Sequence, residues 1–158
     1  MTITPITLPV VSNIEEAAAW NKDFKSILTV GPSAREVDWK HPNHRIFEFG
    51  DTTSGPRAPK LADIEEAVFW GAEQEDLLVH CHAGMSRSTS TAWGISIARG
   101  ADPLDALLAL KEAHPTESRW GKRDFIPNAL IVKHLEKIFN IKTLDAMRRQ
   151  HSTSGWFS

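Results

Sequence analysis

The chain has a single cysteine in 158 residues, Cys81, so it can close no intramolecular disulfide and supply no cysteine-based zinc cluster. A thiol that staples nothing is available for chemistry. No apolar run approaches the ~20 residues needed to span a bilayer, and Met1 to Val10 carries Pro5 and Pro9 with no basic segment ahead of them, so no membrane span and no secretory leader are expected. Nor is either charge in surplus. The formal net charge is -2 and the lysines and arginines are scattered, which gives no general attraction for nucleic acid or anionic lipid. Any anion specificity must be local. These absences describe a protein of a reducing compartment, the cytoplasm, that folds by core packing alone, and a chain of this length buries about 68–70% of its unfolded surface.

What is present reads as one domain over residues 1–140 followed by a tail, 141–158, part helical and part frayed. Residues 2–11 alternate Thr with Ile, Leu and Pro, as an edge strand does. Ser12 and Asn13 are N-cap candidates for a short helix, Ile14 to Trp20, with Glu15 and Glu16 in the first turn where the helix dipole favours them. Ser26 to Val30 and His44 to Phe49 read as strands, and a loop rich in turn formers runs from Gly50 to Pro59. Helical periodicity begins at Leu61; Leu77 to His80 is the central strand; Ser88 to Arg99 has the small-residue content of a buried helix. Asp102 caps a helix that opens on Pro103, His114 to Ile126 is an irregular connection, and Asn128 to Phe139 is the last core helix. The class is α/β, a central mostly parallel sheet of about four to five strands with helices on both faces.

The chemistry is concentrated in His80-Cys81-His82-Ala83-Gly84-Met85-Ser86-Arg87-Ser88. A strand that ends in a glycine-containing loop and turns straight into a helix aims successive backbone N–H groups, and the positive end of the helix dipole, at one point. An oxyanion belongs there. Arg87, where the helix begins, can add a guanidinium fork to two oxygens of a phosphoryl group, and the same field favours a thiolate at Cys81. Cysteine and arginine at this spacing would arise by chance in roughly 6% of such chains, which is weak. Adding the histidine before, the glycine between and the hydroxyl after lowers the chance to about two in 100,000.

At these residues the chain resembles the cysteine-dependent protein tyrosine phosphatases, with their His-Cys-x5-Arg-Ser/Thr loop, and by its size the compact dual-specificity branch. The resemblance implies that Cys81 is the nucleophile that becomes phosphocysteine. It implies that the amides of His82, Ala83, Gly84, Met85, Ser86 and Arg87, with the Arg87 side chain, bind phosphate. Ser88 would assist release of the thiolate and His80 would orient the loop. It also implies no metal and no other cofactor, and a phosphorylated protein or peptide as partner. The general acid is an aspartate about thirty residues upstream in that family, and Asp51 directly follows the strand ending at Phe49. Asp76 lies at the far end of the strand leading to Cys81, out of reach, while Asp63 sits in a helix N-terminal turn and remains the alternative.

Plainer readings stand beside these. Ser88 also suits a helix cap, His82 a pocket rim, His114 and His134 helix ends and core edges, and Arg119, Lys122 and Arg123 a solvated basic loop. Trp20, Trp70 and Trp93 fall where helices pack; Trp39 and Trp120 suit core, rim or cleft. The rival functions are a phosphate-reading module without turnover, a phosphatase of a non-protein ester, and a sulfur-transfer or arsenate-reducing enzyme. The absence of a resolving thiol argues against the arsenate reductase. The loop carries no lysine, which favours phosphoprotein over phosphoinositide.

Overall fold

The structure is a computed structural model that describes residues 7–114, 117–118, 121–122 and 125–142, with Glu117, Ser118, Gly121 and Lys122 described in their backbone alone. Four strands, β1 (Val10–Ser12), β2 (Ser26–Gly31), β3 (His44–Glu48) and β4 (Leu77–His80), form one parallel sheet in the order β1-β4-β2-β3. Because every pair is parallel, all four chains leave the sheet at the same edge. Asn13, Pro32, Phe49 and Cys81 follow immediately, which is where open parallel sheets bind their ligands.

Period-two alternation decides which residues meet which layer. Leu28 and Val30 of β2, Leu77 and Val79 of β4, and Phe47 of β3 face the larger core, shared with the helices α2 (Leu61–Ala72), α3 (Arg87–Ala98), α4 (Pro103–Ala113) and α5 (Ala129–Phe139). Ile27 and Leu78 face the other way, onto Ala17 of the short helix α1 (Ile14–Trp20), with Phe24 and Trp39 packed beside them. Helices therefore lie on both faces, but unequally. Burial of Leu107, Ile131 and Leu135, each fully inaccessible, contributes about 1.5–3 kcal/mol apiece.

Local chemistry accounts for the boundaries. Asn13 closes a capping box with Glu16, its Oδ1 accepting from Glu16 N–H at 2.7 Å while Glu16 Oε1 accepts from Asn13 N–H at 3.0 Å. Asp102 accepts from Asp105 N–H at 3.0 Å, and Pro103 sits at the first helical position. Between the other helices, α3 is sheathed by protein on all sides and is rich in Ser and Thr. Their hydroxyls bond backward, as Ser90 does to the Ser86 carbonyl at 2.6 Å and Thr91 to that of Arg87 at 2.7 Å, which satisfies polar groups that burial would otherwise penalise.

Four expectations are corrected. The helix after the loop starts at Arg87 rather than Ser88. The last helix starts at Ala129, with Asn128 as its N-cap instead of its first residue. The connection after His114 is not wholly irregular: it holds a short antiparallel pair, β5 (Glu117–Ser118) and β6 (Gly121–Lys122), whose backbones pair Glu117 with Lys122 and Ser118 with Gly121. Trp20 ends a helix too short to fold it inward and is 37% exposed. The side chains of Arg119, Trp120, Lys122 and Arg123, and residues 1–6 and 143–158, including Trp156 and Phe157, lie outside the described residues.

Candidate active site

Cys81 leaves β4 at the centre of the sheet and is 2% exposed. Among the described residues its Sγ is bonded by the Gly84 N–H, which donates to it at 3.3 Å, and lies 3.1 Å from the Ser88 hydroxyl. The Gly84 amide is a donor aimed at sulfur; in the Ser88 pair either atom can donate. Ser88 is the second residue of α3, buried, and faces the thiol, so it does not cap the helix. Loop residues His82 and Ala83 are exposed, Met85 is half-buried, and Ser86 is 6% exposed at the N-cap position.

Arg87 turns its guanidinium back under the loop. Nη1 donates to the Phe49 carbonyl at 2.8 Å, while Nε is buried with no hydrogen-bond partner among the described residues. A buried cationic donor with nothing to donate to costs free energy unless an anion completes it. The side chain has room only because residue 31 is glycine: a Cβ there would stand 2.2 Å from Arg87 Nη1 and 2.5 Å from Cζ, and its φ of +115° disfavours any other residue. Gly84 is constrained in the same way, at φ +70°, by the backbone of Ser12 and Asn13 at 2.8–2.9 Å. The loop rests directly on the β1–α1 junction, where Ile14 N–H also bonds the His82 carbonyl at 3.0 Å.

The loop from Gly50 to Pro59 is closed at its neck by Gly50 N–H on the Arg57 carbonyl at 2.7 Å. It brings the Asp51 carboxylate against the loop that follows β4: Oδ1 accepts from the Ser86 hydroxyl at 2.8 Å and from Asn128 Nδ2 at 2.9 Å. α5 holds the other end of the same loop, since His134 Nε2 donates to the Pro59 carbonyl at 2.9 Å. Asp63 lies instead in the first turn of α2, lining a small cavity of about 260 Å³ with Glu48, Phe49, Arg57 and Lys60. Asp76 is at the opposite end of β4, where its carboxylate accepts from Lys25 N–H at 3.2 Å.

Beneath the loop runs a hydrogen-bonded relay. His80 Nδ1 reaches the Cys81 carbonyl at 3.2 Å and its Nε2 reaches Thr29 Oγ1 at 2.7 Å, while Thr29 Oγ1 also lies 2.7 Å from His44 Nε2. A carbonyl only accepts, so His80 carries its proton on Nδ1 and accepts a hydrogen bond from the Thr29 hydroxyl on Nε2; Thr29 then accepts from His44 Nε2–H. Both rings are neutral. Burial lowers the pKa of each from 6.5 to about 4, His41 adding to the effect at His44 and the bond to Cys81 opposing it at His80. Trp39 stacks on His44 at 4.9 Å and tilts onto His80 at 5.9 Å, so it serves packing rather than a cleft.

At the rim, His82 Nε2 lies 2.7 Å from Glu36 Oε1, and a turn in which Ser33 N–H bonds Glu36 Oε2 at 2.8 Å holds that carboxylate. The Ser33 amide first, then His82, keep the Glu36 carboxyl below its ordinary pKa. Among the described residues no group of three or more His, Cys, Asp or Glu side chains is placed to hold a metal ion. Sequence reasoning missed Gly31, Thr29, His44, Asn128 and the function of His134. Only the Asn128 cap carried a local signal.

No protein-family model matches the chain, and no curated protein matches it in sequence. Solved structures do. A mouse dual specificity phosphatase complexed with zinc tungstate superposes with a TM-score of 0.58 at 20% identity, over 94% of each chain. Human DUSP28 gives 0.57 at 18% identity, over 85% of this chain and 93% of its own. The human tyrosine phosphatase-like serine/threonine/tyrosine-interacting protein gives 0.56 at 18%, over 82% and 89%. With its parallel sheet, its strand-loop-helix cradle and these neighbours, the chain has the compact dual-specificity form of the protein tyrosine phosphatase fold.

Proposed function

We propose that the protein is a phosphomonoester hydrolase acting through phosphocysteine, with phosphorylated protein as its substrate class. The observation that carries this reading is a thiol with an amide and a hydroxyl at hydrogen-bond distance, in the same loop as a half-buried guanidinium whose Nε is buried with no partner among the described residues. Tungstate, a tetrahedral oxyanion like phosphate, is bound by the mouse neighbour.

In the first step Cys81 Sγ attacks phosphorus, the Sγ–P bond forms as the P–O bond to the leaving group breaks, and Asp51 passes its proton to the departing oxygen. Phosphocysteine, an alcohol and the Asp51 carboxylate result. Water then attacks phosphorus and gives its proton to Asp51, the Sγ–P bond breaks, and the Ser88 hydroxyl stabilises the departing thiolate. Inorganic phosphate leaves. Arg87 supplies two donors to the equatorial oxygens throughout, where charge is spread in the transition state. A thiolate nucleophile requires a reducing compartment, consistent with cytoplasmic residence; among the described residues no helix is long and apolar enough to cross a membrane.

The test is hydrolysis of an aryl phosphate and of phosphopeptides near pH 6. Wild type turns over, and Cys81→Ser is reduced to the uncatalysed rate. Activity surviving in Cys81→Ser refutes the mechanism. An inactive wild type that still binds phosphopeptide establishes the phosphate-reading module instead.

A further inference from the structure

Resting on the phosphatase reading, the next inference concerns Asn128, to which that reading gives no role. Asn128 is 1% exposed, and both ends of its amide are committed. Oδ1 accepts the N–H groups of Leu130 and Ile131, each at 3.0 Å, as the N-cap of α5. That bonding fixes which end is oxygen, so the NH2 must face the Gly50–Pro59 loop. There it donates to Asp51 Oδ1 at 2.9 Å and to the Thr52 carbonyl at 3.3 Å. The backbone N–H of Asn128 meanwhile bonds the Ser86 carbonyl at 3.4 Å, and the Ser86 hydroxyl donates to the same Asp51 oxygen at 2.8 Å.

A carboxylate oxygen offers two lone pairs in its plane, and on Asp51 Oδ1 both are occupied, by an amide and a hydroxyl. A proton on Asp51 therefore belongs on Oδ2, an oxygen to which no described residue is shown bonding. We propose that Asn128 is a positioning residue. With Ser86 it locks the Asp51 carboxyl in the orientation that carries the transferable proton on Oδ2 and presents it to the leaving oxygen. One residue thereby couples the start of α5 and the general-acid loop through its side chain and the phosphate loop through its backbone N–H. A mere cap would need only Oδ1.

Asn128→Asp separates the two functions. An aspartate at the N-cap still accepts from Leu130 and Ile131, so the helix keeps its cap, but the donor facing Asp51 becomes an acceptor. The experiment measures kcat/KM for aryl phosphates running from nitrophenol, a good leaving group, to phenol, a poor one. It compares wild type, Asn128→Asp, Asp51→Asn and the double variant, with thermal unfolding alongside. Protonation matters most for poor leaving groups. Asn128→Asp is expected to lose roughly tenfold or more on phenyl phosphate and about threefold or less on nitrophenyl phosphate. The extra loss should vanish when Asp51 is already Asn, and the melting temperature should stay close to wild type. If Asn128→Asp fails to fold, Asn128→Ser, which also caps but has no amide to reach Asp51, serves the same comparison. An even loss across the series, or one that persists in the Asp51→Asn background, overturns the positioning role and leaves the phosphatase reading standing. A wild type inactive on every ester overturns both.

Discussion

Single residues here carry consequences that their type alone does not announce. Gly31 is 50 positions before Cys81, yet its missing Cβ is what lets the Arg87 guanidinium lie where it does. Gly31→Ala is expected to displace that guanidinium and to weaken oxyanion binding, read by vanadate titration, by at least about tenfold, the loss of one charge-assisted pair. Retained vanadate affinity would show that Arg87 has another route to the anion. Thr29 is a second such residue. Its one hydroxyl serves two neutral histidines, and Thr29→Val should cost about 1–3 kcal/mol in urea unfolding because the His80 acceptor and the His44 donor are left without it.

The same histidines set a pH dependence. Unfolded, each titrates near 6.5; folded, each titrates near 4 because burial disfavours its charge. Between these values the unfolded chain holds protons that the folded chain does not, so stability falls as pH drops through this window and levels off below it. For His80 the full change is up to about 3 kcal/mol, and for the partly open His44 it is smaller. Urea midpoints measured from pH 7 to pH 4 check this, and a flat profile in that interval would contradict the neutral relay.

At the scale of elements, α5 acts as a strut as much as a core helix. Its Asn128 and His134 grip the two ends of the loop that carries Asp51. Removing one grip should loosen the loop without melting the helix. His134→Ala is expected to raise amide hydrogen exchange across residues 50–59 while the exchange of α5 and the melting temperature change little. Much of this level was legible in the sequence. Asn13 and Asp102 announced their helices because caps act within three or four residues, and the apolar runs of β2 and β4 announced a buried sheet. The cradle at residues 80–88 was legible for the same reason, being a contiguous loop. What was not legible spans distance: the Asn128–Asp51 bond joins residues 77 apart, and the Thr29–His80 bond residues 51 apart. Only the fold brings such pairs together, and one sequence carries no sign of which Asn or Thr will be used. Ser88 illustrates the limit, since its position was compatible with a cap as well as with a contact to the thiol, and its hydroxyl lies 3.1 Å from Cys81 Sγ and caps nothing.

At the scale of the whole molecule, a chain with one cysteine has no partner of its own for an oxidised thiol. After brief peroxide treatment, activity should return only with an added thiol, because neither a sulfenic acid nor a sulfenamide can be resolved by a second cysteine in the chain. Recovery without added thiol would require an intermolecular route.

The parallel sheet has one more consequence, for the time course of folding. Each parallel pairing joins segments distant in sequence, and such contacts form slowly because loop closure precedes their reward. The site draws on the ends of all four strands: Ser12 backs Gly84, Gly31 admits Arg87, Phe49 accepts its bond, and Cys81 follows β4. No subset of strands builds it. In a refolding experiment, vanadate binding should therefore return no earlier than the slowest change in the fluorescence of tryptophans such as the fully buried Trp93, which makes the cradle a kinetic marker of completed folding.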